Sequence, residues 1–237
     1  MEDPPSQASA VEFTEELKGF VTVGEAAYHE GFQRGRDSGG DARVHVTVTV
    51  DDVDRFIADP TREATVTGWV EGEALGGRRP VERGIFNLFA DEAEPDRSHV
   101  YYRLFFSDGA GGPLTLGGFK DVLDEPGLDR WPDTSTLYVR ILRGHTERDR
   151  EPPAGAPGVP SSGVIAAGIL QIHLDDFARQ LGTFRVRGPS SVARDRVLDE
   201  FGRLLLGKLW AVYGAQARAA AGTQGLSTPF GHGAGDG

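Results

Sequence analysis

The sequence predicts a mainly β fold: an antiparallel barrel or sandwich with a long amphipathic helix near the C-terminus. Three observations carry this. Val44, Val46, Val48 and Val50 alternate with His45, Thr47 and Thr49, the period of a half-buried strand. Similar strand patterns recur roughly every ten to fifteen residues, between turn signals supplied by 33 Gly and 14 Pro. Residues 192–214 instead repeat Val197, Leu198, Phe201, Leu204, Leu205, Leu209 and Val212 at three-four spacing, which makes one apolar stripe on a helix.

Taken in order, residues 1–12 are polar and Pro-containing and read as a disordered N-terminus. Residues 13–28 mix apolar and charged side chains without a clear period, and 31–40 read as a Gly-rich connection. After the 44–50 strand, Asp51 or Asp52 can cap a short helical turn that Pro60 ends. Strands follow over 64–71, 84–90, 100–107, 113–122, 136–142 and 164–174. In the second of these, Phe86 and Leu88 share one face, with Ile85 and Phe89 on the other. Ser190 or Ser191 can cap the last helix and Gly214 can end it. The domain reading is therefore a tail over 1–12, one β-rich domain over 13–214 and a flexible Gly-rich tail over 215–237. The segments around Asp51-Asp52 and Asp175-Asp176 echo each other, each a strand, an aspartate pair and a helical turn.

Composition narrows the function. With 237 residues and 38% hydrophobic content the chain can bury a core, and its formal charge of -11 argues against nucleic acid. The absence of Cys removes disulfides, thiolate catalysis and Cys-ligated metals. No signal-peptide pattern and no transmembrane run occur, so a cytoplasmic location is expected.

Motifs for chemistry are few. There is no G-x-G-x-x-G between strand and helix, no phosphate-binding loop and no G-x-S-x-G elbow. The six His lack the spacing of a helical zinc motif, and His45 and His173 read as solvent-facing. Asp121, Asp124, Glu125, Asp129 and Asp133 crowd one loop, but not at the spacing of a calcium-binding loop. No catalytic residue, metal ligand or cofactor is assigned. The candidate ligand-binding residues are Arg103, Phe105, Lys120, Trp131 and Tyr138, an aromatic and cationic set on neighbouring segments that could line a pocket for an apolar molecule.

Several stretches also carry a resemblance. They are Phe56-Ile57-Ala58-Asp59-Pro60, Gly68-Trp69-Val70 with Leu75-Gly76-Gly77-Arg78, Val81-Glu82-Arg83-Gly84-Ile85-Phe86-Asn87-Leu88-Phe89, Tyr102-Arg103-Leu104-Phe105-Phe106, Leu114-Thr115-Leu116-Gly117-Gly118-Phe119-Lys120 and Trp131-Pro132-Asp133-Thr134-Ser135-Thr136-Leu137-Tyr138. Together, over residues 13–214, the chain resembles an accessory region found with bacterial flavin oxidoreductases of the glucose–methanol–choline type, close to cholesterol oxidase and sometimes joined to an α/β-hydrolase segment. The flavin fingerprint and the nucleophile elbow of those partners are missing here, so no catalytic residue carries over. The resemblance implies a non-catalytic module for a lipid- or sterol-like molecule, or for a flavin oxidoreductase or hydrolase partner. Two alternatives stand beside it. One is an enzyme using Asp121, Asp133, Lys120 or Arg103 in a cleft. The other is a structural interaction domain that docks through the last helix, with Trp210 and Tyr213 exposed.

Overall fold

A computed structural model describes residues 8–90, 97–123, 135–146 and 163–206, together with 214, 215, 218 and 219. Ten strands and four helices are found among them. In chain order they are β1 (Ala10–Val23), α1 (Tyr28–Ser38), β2 (Asp41–Val50), α2 (Val53–Ala58), β3 (Glu63–Gly72), β4 (Gly77–Pro80), β5 (Arg83–Ala90), β6 (Arg97–Ser107), β7 (Pro113–Leu123), β8 (Thr136–Arg143), β9 (Val164–Gln171), α3 (Leu174–Leu181), β10 (Arg185–Arg187) and α4 (Ser191–Leu206).

The choice between sandwich and barrel is settled by one pairing. Strands β1, β2, β3, β5, β6, β7, β8 and β9 are antiparallel neighbours in that order, and β9 returns to pair with β1 from Lys18↔Gln171 to Val23↔Ala166. Eight strands thus close on themselves, which leaves no free edge within the ring. β4 adds to β3, and β10 adds to the start of β1. At the closing seam the two backbones approach closely. A Cβ on Gly168 would sit 2.0 Å from the carbonyl oxygen of Phe20, so only glycine fits there.

Alternation decides which side chains fill the barrel. Val44, Val46, Val48 and Val50 point inward, as do Phe86 and Leu88 of β5, Tyr102, Leu104 and Phe106 of β6, and Leu137, Val139 and Ile141 of β8. The inward row of β1 is Val11, Phe13, Glu15, Leu17, Gly19 and Val21. This is a regular strand, although the sequence shows no clear period there. A glutamate at an inward position and a glycine two pairs later break the apolar alternation. β1 also takes in Ala10, Val11 and Glu12, which the sequence assigns to the N-terminal tail.

The Gly-rich connection proves to be largely helical. α1 packs on the outside of the wall, and its glycines face the strands: a Cβ on Gly31 would lie 2.1 Å from the Ala167 carbonyl oxygen. Under α1, Tyr28 and Phe32 cover an outer cluster of Tyr101, Phe119, Tyr138 and Ile169.

Helices gather at the end of the barrel where β1 begins. α2 connects β2 to β3 there, with Asp52 capping it by accepting the Arg55 N–H at 3.0 Å. α3 follows β9 to the same end, so both halves of the sequence echo place a helix at one mouth. The aspartates differ in use, however, because α3 has no side-chain cap. Ser190 caps α4 through the Ala193 N–H at 3.1 Å. Phe177, Leu181, Phe184, Val197, Leu198, Phe201 and Leu205 of this helical end join the barrel core. Phe13 stacks on Phe184 at 5.3 Å and meets Phe201 at 5.8 Å. The expected continuation of α4 through 207–213, with Trp210 and Tyr213, lies outside the described residues. Among the described residues no helix is long and apolar enough to cross a membrane.

Candidate functional site

A charged cluster lies inside the apolar barrel. The Glu15 carboxylate projects inward from β1, with the residue only 3% exposed. Its Oε2 accepts hydrogen bonds from Tyr102 Oη at 2.6 Å and Lys120 Nζ at 2.8 Å. Its Oε1 accepts from Gln180 Nε2 at 2.8 Å. Tyr102 comes from β6, Lys120 from β7 and Gln180 from α3, so the cluster joins three parts of the wall to the helical mouth. The Lys120 ammonium also lies 5.5 Å from the centre of the Tyr102 ring.

Local pattern places each group. Lys120 continues the inward row of Leu114, Leu116 and Gly118 on β7, and Tyr102 lies between Val100 and Leu104 on β6. Burial pushes the Tyr102 phenol well above its ordinary value of 10.0, and the adjacent Glu15 charge and hydrogen bond push it further. The phenol therefore stays protonated and donates.

Such a cluster is not an obvious source of stability. Taking an ammonium and a carboxylate out of water costs several kcal/mol each, and apolar replacement of a buried pair is often neutral or stabilising. An acid–base pair kept in this position therefore asks for another role, either in specifying the fold or in recognition.

A second ion pair holds the mouth from outside. Lys18 Nζ donates to Asp176 Oδ2 at 2.9 Å, and Arg179 contacts the other Asp176 oxygen. Burial alone would raise the Asp176 carboxyl, but the hydrogen bonds from Lys18 and Arg179 outweigh it and hold the group below its ordinary value. α3 is thus tied to β1 twice, by Asp176 to Lys18 on the outer face and by Gln180 to Glu15 within.

Of the five residues expected to line one pocket, the four that the structure describes do not converge. Lys120 belongs to the interior cluster. Arg103 is on the outer face, donating to Asn87 Oδ1 at 3.1 Å. Phe105 is also on the outer face and is buried beneath Arg83, whose guanidinium carbon lies 4.1 Å from the ring centre. Tyr138 stacks on Phe119 at 5.1 Å beneath α1. Trp131 lies outside the described residues, as do Asp133 and most of the acidic loop. Because Lys120 and Arg103 occupy opposite faces of the wall, they cannot act in one cleft. His45 is outward as expected, stacked on Trp69 at 5.2 Å, with Arg78 3.9 Å from the indole centre.

The cluster members that the candidate set omits are Glu15, Tyr102 and Gln180. Glu15 had a signal in retrospect: it is the one charged residue in the row Val11, Phe13, Glu15, Leu17. Gln180 had none, because the geometry of a helix folded over a barrel mouth is not written in its neighbours.

One cleft of about 420 Å³ opens beside α2, with Asp51, Asp52, Arg55, Asp59, Thr61 and Glu63 on its walls. Two of its acids serve local structure. Asp52 caps α2, and Asp59 accepts both the N–H and the hydroxyl of Thr61 at 2.8 Å. Among the described residues no group of three His, Asp or Glu is placed to hold a metal ion. No protein-family model, curated protein or solved structure matches the chain.

Proposed function

We propose that the chain is a non-catalytic, cytoplasmic β-barrel module that binds an apolar, lipid-like molecule and works beside a flavin oxidoreductase or hydrolase partner. The observation that carries the binding part is the Glu15–Lys120–Tyr102–Gln180 cluster, set in an otherwise apolar interior. Small-molecule sites have this composition: apolar walls with a few polar groups that fix orientation. The partner class rests on the resemblance described above.

The state of the cluster favours binding over catalysis. Glu15 accepts three hydrogen bonds that engage both of its oxygens, and Tyr102 is held protonated. The helical mouth, where Phe177, Leu181 and Phe184 join the barrel core, is the natural route inward.

Native mass spectrometry of the purified protein, followed by solvent extraction of whatever is bound, tests the reading. A co-purifying sterol or fatty acyl species is the expected result. A clean apo mass, with no thermal shift on adding sterols or fatty acids, would remove the ligand and leave a protein-partner role.

A further inference from the structure

Gln180 has one polar atom still to be matched. Its Nε2 donates to Glu15, and since a carboxylate can only accept, that contact fixes which end of the amide faces which way. Its Oε1 is buried, and no donor among the described residues reaches it. The residue is only 3% exposed, so bulk water does not satisfy this acceptor. A buried carbonyl without a donor is costly, because it has given up water for nothing. At the other oxygen of the same carboxylate, Lys120 uses one of its three N–H bonds on Glu15. Among the described residues its other polar neighbour is the face of Tyr102.

An unmatched acceptor and spare donors therefore flank one carboxylate. A group that serves both must donate one hydrogen bond and accept another. A carboxylate cannot donate to Gln180 and would be repelled by Glu15. An ammonium cannot accept from Lys120. An ether or a ketone cannot donate. A hydroxyl does both.

We propose that Gln180 Oε1 and Lys120 Nζ form a seat for a single hydroxyl group inside the barrel. This rests on the ligand-binding reading and sharpens it: the bound molecule is an apolar alcohol. A buried water offers the same chemistry and is the other source of the hydroxyl.

The test compares 1-decanol with decyl methyl ether, which keeps the chain and the acceptor but loses the donor. Binding to the full chain is measured by calorimetry, in the wild type and in Gln180→Met. In parallel, magnetic relaxation dispersion counts long-lived buried water in both proteins. The expected result is that decanol binds about tenfold more tightly than the ether in the wild type, and that Gln180→Met abolishes the difference. If neither compound binds but a long-lived water is lost in Gln180→Met, the seat stands with water in it and the ligand-binding reading fails. If the two compounds bind equally and no such water is found, the seat is overturned while ligand binding survives. Where either compound binds, the wild-type comparison decides the matter even if the variant does not fold.

Discussion

Glu15 and Lys120 stand 105 residues apart in the chain and meet at 2.8 Å inside the barrel, each less than 5% exposed. Removing one partner leaves an uncompensated buried charge. Lys120→Met should therefore destabilise the fold by about 3–5 kcal/mol, whereas Glu15→Leu combined with Lys120→Met should recover most of that loss. Urea unfolding of both single variants and the double variant gives the coupling. Additive losses would show that the two charges do not act as a pair.

Tyr102 supplies an optical check on the same cluster. Its pKa is raised on folding, so its contribution to stability is present below the ordinary value of 10.0 and is lost as pH rises beyond it. Phenolate absorbance should show one tyrosine that ionises only as the protein unfolds in alkali, and Tyr102→Phe should remove that step. Ionisation of every tyrosine in the folded protein would contradict the buried contact with Glu15.

The outer tie of α3 predicts sensitivity at both extremes of pH. Asp176 is held below its ordinary value of 3.8, so its stabilisation is present above that pH and is lost as pH falls through the folded value. The hydrogen bond to Asp176 leads the causes that raise Lys18 above 10.5, so the contribution of Lys18 is present below that pH and is lost on going higher. Asp176→Asn should flatten the acid limb of urea midpoints measured from pH 2 to 6. An unchanged acid limb would mean that the Lys18–Asp176 contact does not persist in solution.

Closure of the barrel rests on the seam between β1 and β9. Gly168→Ala would drive a Cβ against the Phe20 carbonyl, and the strands must separate to admit it. The expected cost is about 1–3 kcal/mol or more, with the amides of residues 18–23 losing most hydrogen-exchange protection. Full protection in a stable variant would show that the seam has room that the backbone geometry does not allow.

Much of this architecture can be read directly from the residues. Val44 to Val50 and Leu137 to Ile141 alternate cleanly because each strand has one face in an apolar core, and the Asp52 cap and Ser190 cap are local signals. What was hidden depended on the tertiary setting. Glu15 breaks the alternation of β1 because its partners, Tyr102, Lys120 and Gln180, arrive from distant segments. Gly31 and Gly35 look like loop residues, yet they are the positions where α1 rests on backbone. Phe105 and Tyr138 read as pocket-lining aromatics, but composition could not tell the inside of a closed wall from its outside, where Phe105 lies under Arg83 and Tyr138, partly buried, lies under α1. Of the expected pocket residues that the structure describes, only Lys120 lies in the cluster.

If the interior cluster receives an apolar ligand, the side-chain amide of Gln180 reports on it most directly. Its two N–H resonances can be followed by nuclear magnetic resonance, assigned by their loss in Gln180→Met, as 1-decanol is added to the wild-type protein. A saturable shift of these resonances, accompanied by shifts in Tyr102 and α3, is the predicted result. Ligand-induced shifts confined to the outer face around Trp69 or Tyr138, with Gln180 unmoved, would contradict it.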